Sequence, residues 1–342
     1  MKRKNLACLF FLMITVLFTA CNKQPELPKT GTPKIVLLGE LVAEDSIYFR
    51  AGQSIPIIAG STAQRVLIQD LEITVKNQQG TAWILQHKED ELSSSEFTLP
   101  YFSNKLIQAS GVYNITAVHP KYGTATVMVP VPKPFIAIAD TSNVIYEGEP
   151  CLQANISITD LPATGNAYAI EVVQQPYFIE PSFFFNGQWL KQSDHTDLYD
   201  SLKQAGATVP ERMDRFYARM FNRIMFFTKD AFAEHVKSGK ASQEINRAIF
   251  EDAGMNGTTI NSRIYIPRKN IFASQPGAFG YLTLIQVKSI ASDYFNYLKS
   301  YQQVDHTLGL DELFNKVQIT GNVQNGLGMI GGVFLRQFGY DL

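Results

Sequence analysis

The 342-residue sequence predicts a mainly β protein, with an N-terminal immunoglobulin-like β-sandwich followed by a C-terminal β-rich, sandwich-like domain carrying helical insertions. Three observations lead there. Between residues 34 and 130, short runs of alternating apolar and polar residues recur between turn signals, with no helix-length amphipathic pattern among them. From 135 to 342 similar runs continue, interrupted at about 194–250 by stretches with helical spacing. The chain is also 45% hydrophobic and 12% aromatic, which supplies two cores and excludes a disordered polymer.

The first element is a leader. Lys2, Arg3 and Lys4 precede an apolar run from Leu6 to Phe18, broken by Thr15 and shorter than the roughly 20 residues that cross a bilayer. Residues 1–20 therefore read as a signal peptide, and Phe18-Thr19-Ala20-Cys21 resembles the lipobox of bacterial lipoproteins, with Phe18 where Leu is preferred. That resemblance implies acylation of Cys21, palmitate-like chains included, and stable attachment, because two or more chains hold where one binds reversibly. Asn22, Lys23 and Gln24 stand where an inner-membrane retention Asp is absent, which favours the outer membrane and leaves both its periplasmic and cell-surface leaflets open. Residues 21–33, with Pro25, Pro28 and Pro33, read as an extended tether.

Strands follow. In the sandwich region they are "KIVLLGELVAE", "SIPIIAG", "LEITVKN", "TAWILQH", "EFTLPYF", "GVYNITAVH" and "GTATVMVPV". The clearest piece is the hairpin in which Tyr113, Ile115, Ala117 and His119 share one face and Pro120 to Gly123 turn the chain. Three prolines in "VPVPKP", Val129 to Pro134, end that region, since proline cannot donate to a ladder. Beyond it the strands are "FIAIAD", "CLQANISITD", "AYAIEVVQQ", "SFFFN", "RIMFF", "INSRIYIP", "FGYLTLIQVKSI", "KVQITGN" and "MIGGVFL". "DLYDSLKQAG" and "ERMDRFYARMFNR" read as helices of the insertion. A last helix is signalled by Ser292 as N-cap and by Tyr294, Tyr297, Leu298 and Tyr301 at i, i+3, i+4 and i+7.

Charge and motif composition narrow the function. Loss of Lys2, Arg3 and Lys4 with the leader takes the formal net charge from -1 to -4, so nucleic acid is not an expected partner. Cys8 leaves with the leader and Cys21 takes lipid, so Cys151 is alone, and its alternating surroundings predict a buried thiol. His87, His119, His195, His235 and His306 are scattered, and Asp194, His195, Asp197 and Asp200 lack the glycine and distal Glu of a calcium loop, so no metal is expected. No nucleophile elbow or zinc-protease motif occurs, and no catalytic residue is assigned. Asp45 to Ile47 resembles a three-residue O-glycosylation signal.

Aromatic density is the remaining lead. Tyr177, Phe178, Phe183, Phe184, Phe185 and Trp189 crowd "QQPYFIEPSFFFNGQWL". Along a strand Phe183 and Phe185 face one way and Phe184 the other, which makes Phe184 and Trp189 the candidate ligand or partner surface, against internal packing under the insertion.

"GNVQNGLGMIGGV", Gly321 to Val333, holds five glycines. Gly326, Gly328 and Gly331 match the dinucleotide spacing G-x-G-x-x-G, but eleven residues follow Gly331, too few for the βαβ unit and its ribose-binding acid. No nucleotide or other cofactor is expected. Asn325-Gly326 reads instead as the turn of a closing hairpin, with Gly331 and Gly332 permitting a bulge or close backbone approach.

The same block carries a resemblance. Tyr294, Tyr297, Leu298 and Ser300, followed by Asn322, Asn325, Gly326, Leu327, Gly328, Gly331 and Gly332, are similar to the end of the domain-of-unknown-function family 4249. "DELFNKVQITGN" and Met329 depart from that pattern, which touches local packing. The resemblance implies an envelope lipoprotein, often encoded near TonB-dependent receptors, and brings no catalytic residues. The expectation is therefore a lipid-anchored outer-membrane protein, a binding or accessory component beside a TonB-dependent transporter. An envelope hydrolase without a recognised motif and a purely structural surface protein are the alternatives.

Overall fold

The computed structural model describes residues 33–54, 68, 70–87, 98–160, 165–218, 221–252, 257–274, 279–303 and 319–341. The leader, Cys21 and nearly all of the tether lie outside them, as do residues 55–60 of "SIPIIAG", His306 and residues 311–318. Among the described residues the protein is mainly β, with eighteen strands against three α-helices.

One large sheet joins the two ends of the chain. Its strands are β1 (Ile35–Val42), β2 (Ser46–Gln53), β5 (Gln86–His87), β6 (Thr98–Leu106), β11 (Ala167–Phe185), β12 (Gln188–Lys191), β13 (Glu211–Tyr217), β14 (Asn222–Ile224), β15 (Arg247–Glu251), β17 (Phe279–Ile290) and β18 (Leu327–Asp341). The order is β12-β11-β17-β18-β1-β2-β6-β5, with β13, β14 and β15 also paired to β11. Two smaller sheets complete the layers: β4-β3-β7-β8, from β3 (Glu72–Asn77), β4 (Ala82–Ile84), β7 (Val112–His119) and β8 (Gly123–Pro130), and β16-β10-β9, from β9 (Ile136–Tyr146), β10 (Glu149–Thr159) and β16 (Thr259–Pro267).

Period-two patterning explains the layers. Tyr113, Ile115 and Ala117 of β7 are buried and join Leu37, Phe49 and Tyr101 of the large sheet in one core. Ala154, Ile156 and Ile158 of β10 do the same against Tyr168, Ile170 and Val172 of β11. Each such large side chain contributes about 1.5–3 kcal/mol by leaving water. The opposite face of the large sheet takes the helix α3 (Ser292–Gln303), whose Tyr294, Phe295 and Leu298 pack on Ala167, Ala169, Ile249 and Val333.

Strand β18 is the seam. Leu327 to Val333 pairs in parallel with β1, and Val333 to Asp341 pairs antiparallel with β17, so Val333 faces Val42 in one ladder and Ile290 in the other. Among the described residues the hairpin expected at Asn325-Gly326 does not form, residues 319–323 having no strand. Asn325 does turn the chain at φ 55°, but Gln324 bridges Thr126 of β8 while the following residues add to β1. The expected return strand forms as β18 and takes β1 as its partner.

The insertion at about 194–250 differs from its expected helical character. α1 (Thr196–Gln204) forms over "DLYDSLKQ", and a short α2 (Glu234–Lys237) follows. "ERMDRFY" is a strand, β13, because its residues pair with Tyr177 to Phe183 of β11, and that ladder overrides the helix propensity of Glu211, Arg212, Met213 and Arg215. "AYAIEVVQQ" and "SFFFN" likewise fuse into the single 19-residue β11 despite Pro176 and Pro181. Both prolines sit where an edge changes partner: Pro176 between β14 and β13, Pro181 between β17 and β12. Their missing N–H groups fall in the gaps, so no ladder bond is lost.

Candidate binding surface

Tyr168, Ile170 and Val172 of β11 lie in the core shared with the three-stranded sheet, and Phe178 and Phe184 further along the same face do not. The part from Tyr177 to Phe185, flanked by β12 and β13 and backed by α1, forms an arm with two unlike faces. On the backed face Phe183 is fully buried, its ring 5.2 Å from Tyr199 of α1, and Tyr199 donates to Glu211 of β13 at 2.8 Å. Lys203 of α1 also pairs with Glu211, and these two bonds hold its carboxyl below the usual range.

The other face continues, residue for residue, the one that buries Tyr168, Ile170 and Val172 further back. Here it is open: Phe178 is 48%, Phe184 40% and Trp189 36% exposed. Phe184 and Trp189 are cross-strand partners with rings 5.4 Å apart, and the Arg212 guanidinium lies 3.9 Å from the Trp189 ring centre. Toward the body Phe178 meets Phe279 at 5.2 Å, and Phe279, Tyr281 and Phe272 form a second aromatic group. Six strand residues, about 20 Å, separate the two groups.

Charged side chains fill the interval and are paired among themselves. Lys191 binds Glu180 at 3.1 Å, and Arg212 binds Asp214 at 2.8 Å. Ser182 donates to the same Asp214 carboxylate, and the hydroxyl and guanidinium together lower its pKa. Phe184 and Trp189 are legible in the sequence, whereas Arg212 stands in an apparently helical stretch that is a strand. The second aromatic group had a legible signal in the i, i+2 spacing of Phe279 and Tyr281 on a strand.

Other sites considered in the sequence sit elsewhere. His195 is exposed at the start of α1, with Asp194 3.8 Å from Lys191. His119 shares a 2.9 Å hydrogen bond with Asp70 and stacks on Tyr122. His235 is buried, and burial lowers its pKa. Cys151 is a buried free thiol, pushed up by burial. Among the described residues, no group of three or more His, Cys, Asp and Glu side chains is placed to hold a metal ion. No described helix is long and apolar enough to cross a membrane. A shallow polar groove of about 470 Å³ lies on the three-stranded sheet, lined by residues including Asn155, Asp230 and Arg263.

A buried ionic cluster went unseen in the sequence. On the α3 face of the large sheet, Lys288 binds Glu40 at 3.0 Å and Glu171 at 2.9 Å, while Arg247 also pairs with Glu171. Burial alone would raise the Glu171 carboxyl, but the Lys288 and Arg247 charges override it and hold its pKa at about 2. The Tyr294 hydroxyl donates to Glu40 at 2.6 Å. Two cations and two anions cancel, as a dry site requires.

The glycine block serves this same seam. A Cβ on Gly332 would fall 1.8 Å from the Pro130 oxygen, one on Gly328 2.1 Å from the Leu37 oxygen, and one on Gly331 2.4 Å from the Tyr294 ring. Asn322 receives the Ile330 N–H and donates to the Ile330 carbonyl, and its amide also reaches Asp293. The close approach expected at Gly331 and Gly332 is thus the packing of β18 against β8 and α3.

Fold and surface together define a layered β-sandwich protein with an exposed aromatic face on β11 and β12. The family model described as "Domain of unknown function (DUF4249)" matches residues 23–334, and the chain belongs to that family. No curated relative matches the chain significantly.

Proposed function

We propose that the protein is an outer-membrane lipoprotein, anchored through acylated Cys21, that works as a binding or accessory component beside a TonB-dependent transporter. The observation that carries the binding role is the arm: the face of β11 that is core further back is left uncovered where it carries Phe178, Phe184 and Trp189. Aromatic residues and Arg are enriched where proteins bind partners, and exposed rings at the end of a strand suit that use. The anchor rests on the leader and lipobox, and the transporter on what the family resemblance implies.

Affinity recovery from detergent-solubilised envelopes tests the reading. The full chain is expected to bring down an outer-membrane transporter, and Cys21→Ser to leave the membrane fraction. Recovery of no outer-membrane protein, or membrane attachment that survives Cys21→Ser, contradicts it.

A further inference from the structure

The open face of the arm has a chemistry of its own. Two grooves on the three-stranded sheet, of about 470 and 450 Å³, include none of its rings. Small molecules are held in concave sites that bury most of their surface, whereas half-exposed rings spread along a strand suit something extended. Two aromatic groups about 20 Å apart set the scale, since one small ring cannot touch both. Between them Lys191 is neutralised by Glu180 and Arg212 by Asp214, which leaves no net charge to attract phosphate, nucleic acid or an acidic polymer. The same four groups keep the interval rich in donors and acceptors, so a purely apolar occupant is disfavoured too.

We infer that this face binds a neutral oligosaccharide chain, with sugar rings stacked at Phe184–Trp189 and again at Phe178 and its neighbours, and hydroxyls bonded by the charged interval. The occupant is uncharged because the charges of the face are already paired. A sugar ring offers a weakly positive C–H face to the negative face of an aromatic ring and hydroxyls around its rim, and it carries no charge to conflict with the paired side chains. Arg212, stacked on Trp189 and bonded to Asp214, fixes the tip ring in place. The inference rests on the proposed binding role of the arm and names its ligand class.

The test is affinity electrophoresis of the full mature chain through gels containing a soluble mannan, β-glucan or galactan, with polygalacturonate as the acidic counterpart. At least one neutral polymer is expected to retard the protein, and Trp189→Ala and Phe184→Ala each to weaken retardation about tenfold. Because both rings are half-exposed, the variants should melt with the wild type, and Trp189→Phe, which keeps a ring, should retain most of the binding. Absence of retardation by all three neutral polymers, equal retardation by polygalacturonate, or unchanged binding in both alanine variants overturns the inference. A chain that ignores the polymers yet still captures an envelope protein through Trp189 would make the face a protein interface, overturning the glycan and sparing the accessory role.

Discussion

The Tyr294 ring lies against the backbone of Gly331, where a Cβ would come within 2.4 Å of its Cδ1, and from that position its hydroxyl donates to Glu40 at 2.6 Å. One helix residue thus ties three strands: β18 by contact, β1 through Glu40, and β17 through the Glu40–Lys288 pair. The glycine is required by the tyrosine, and the tyrosine by the buried charge.

Substitutions in the glycine block should follow the clashes. Gly331→Ala must displace the Tyr294 ring and is expected to cost about 1–3 kcal/mol, as overpacking typically does. Gly332→Ala meets a backbone oxygen at 1.8 Å and should cost more. Gly339→Ala, on the same strand with nothing nearer than 3.4 Å, should change stability by less than about 1 kcal/mol. Urea denaturation of the three variants gives the order.

Breaking the ionic cluster one member at a time should hurt more than removing it whole. Glu171→Gln leaves Lys288 and Arg247 sharing Glu40 and is expected to cost about 3–5 kcal/mol. Replacing Glu40, Glu171, Arg247 and Lys288 together by Met, with Tyr294→Phe to remove the stranded hydroxyl, should recover most of that loss, measured by urea midpoint.

Acid should find the same cluster. The folded pKa of Glu171, about 2, lies below its ordinary 4.5, so its contribution is present above about pH 4.5 and lost as pH falls toward 2. Lys288 is raised above its ordinary 10.5 by Glu40 and Glu171, overcoming burial, so its contribution is present below pH 10.5 and lost as pH rises through the folded value. Urea midpoints measured from pH 7 to 2 should fall less steeply for Glu171→Gln than for the wild type; parallel curves would assign the acid loss to other groups.

The two faces of the arm predict opposite outcomes at adjacent residues. Phe183→Ala empties a buried site under α1 and should cost about 3–5 kcal/mol, or unfold the arm locally. Phe184→Ala, half-exposed, should cost about 1 kcal/mol or less. Hydrogen exchange of the arm amides distinguishes local from global loss.

These contrasts mark what the amino-acid order reveals. Local signals announced the strands: the alternation of β7, the long apolar run of β17 and the tyrosine spacing of α3 all became the elements they predict. Long-range pairing did not announce itself. β13 has helix-forming residues and is a strand only because β11 lies beside it, and Pro176 separates two apparent strands that partner switching joins. Glu40, Glu171, Arg247 and Lys288 are ordinary surface-type residues in sequence, brought together from positions 248 residues apart at the widest. Phe184 and Trp189 were visible because aromatic crowding on an alternating strand forces at least one large ring away from a single core.

The proposed binding role resides in the arm, and the glycine block serves the fold. The most direct measurement is the recovery of outer-membrane proteins from solubilised envelopes by wild-type chain and by a Phe184→Ala, Trp189→Ala double variant of unchanged melting temperature. The account predicts capture of a transporter by both chains, since the rings hold a glycan and not the transporter; recovery of no outer-membrane protein, or capture lost in the variant alone, would contradict it.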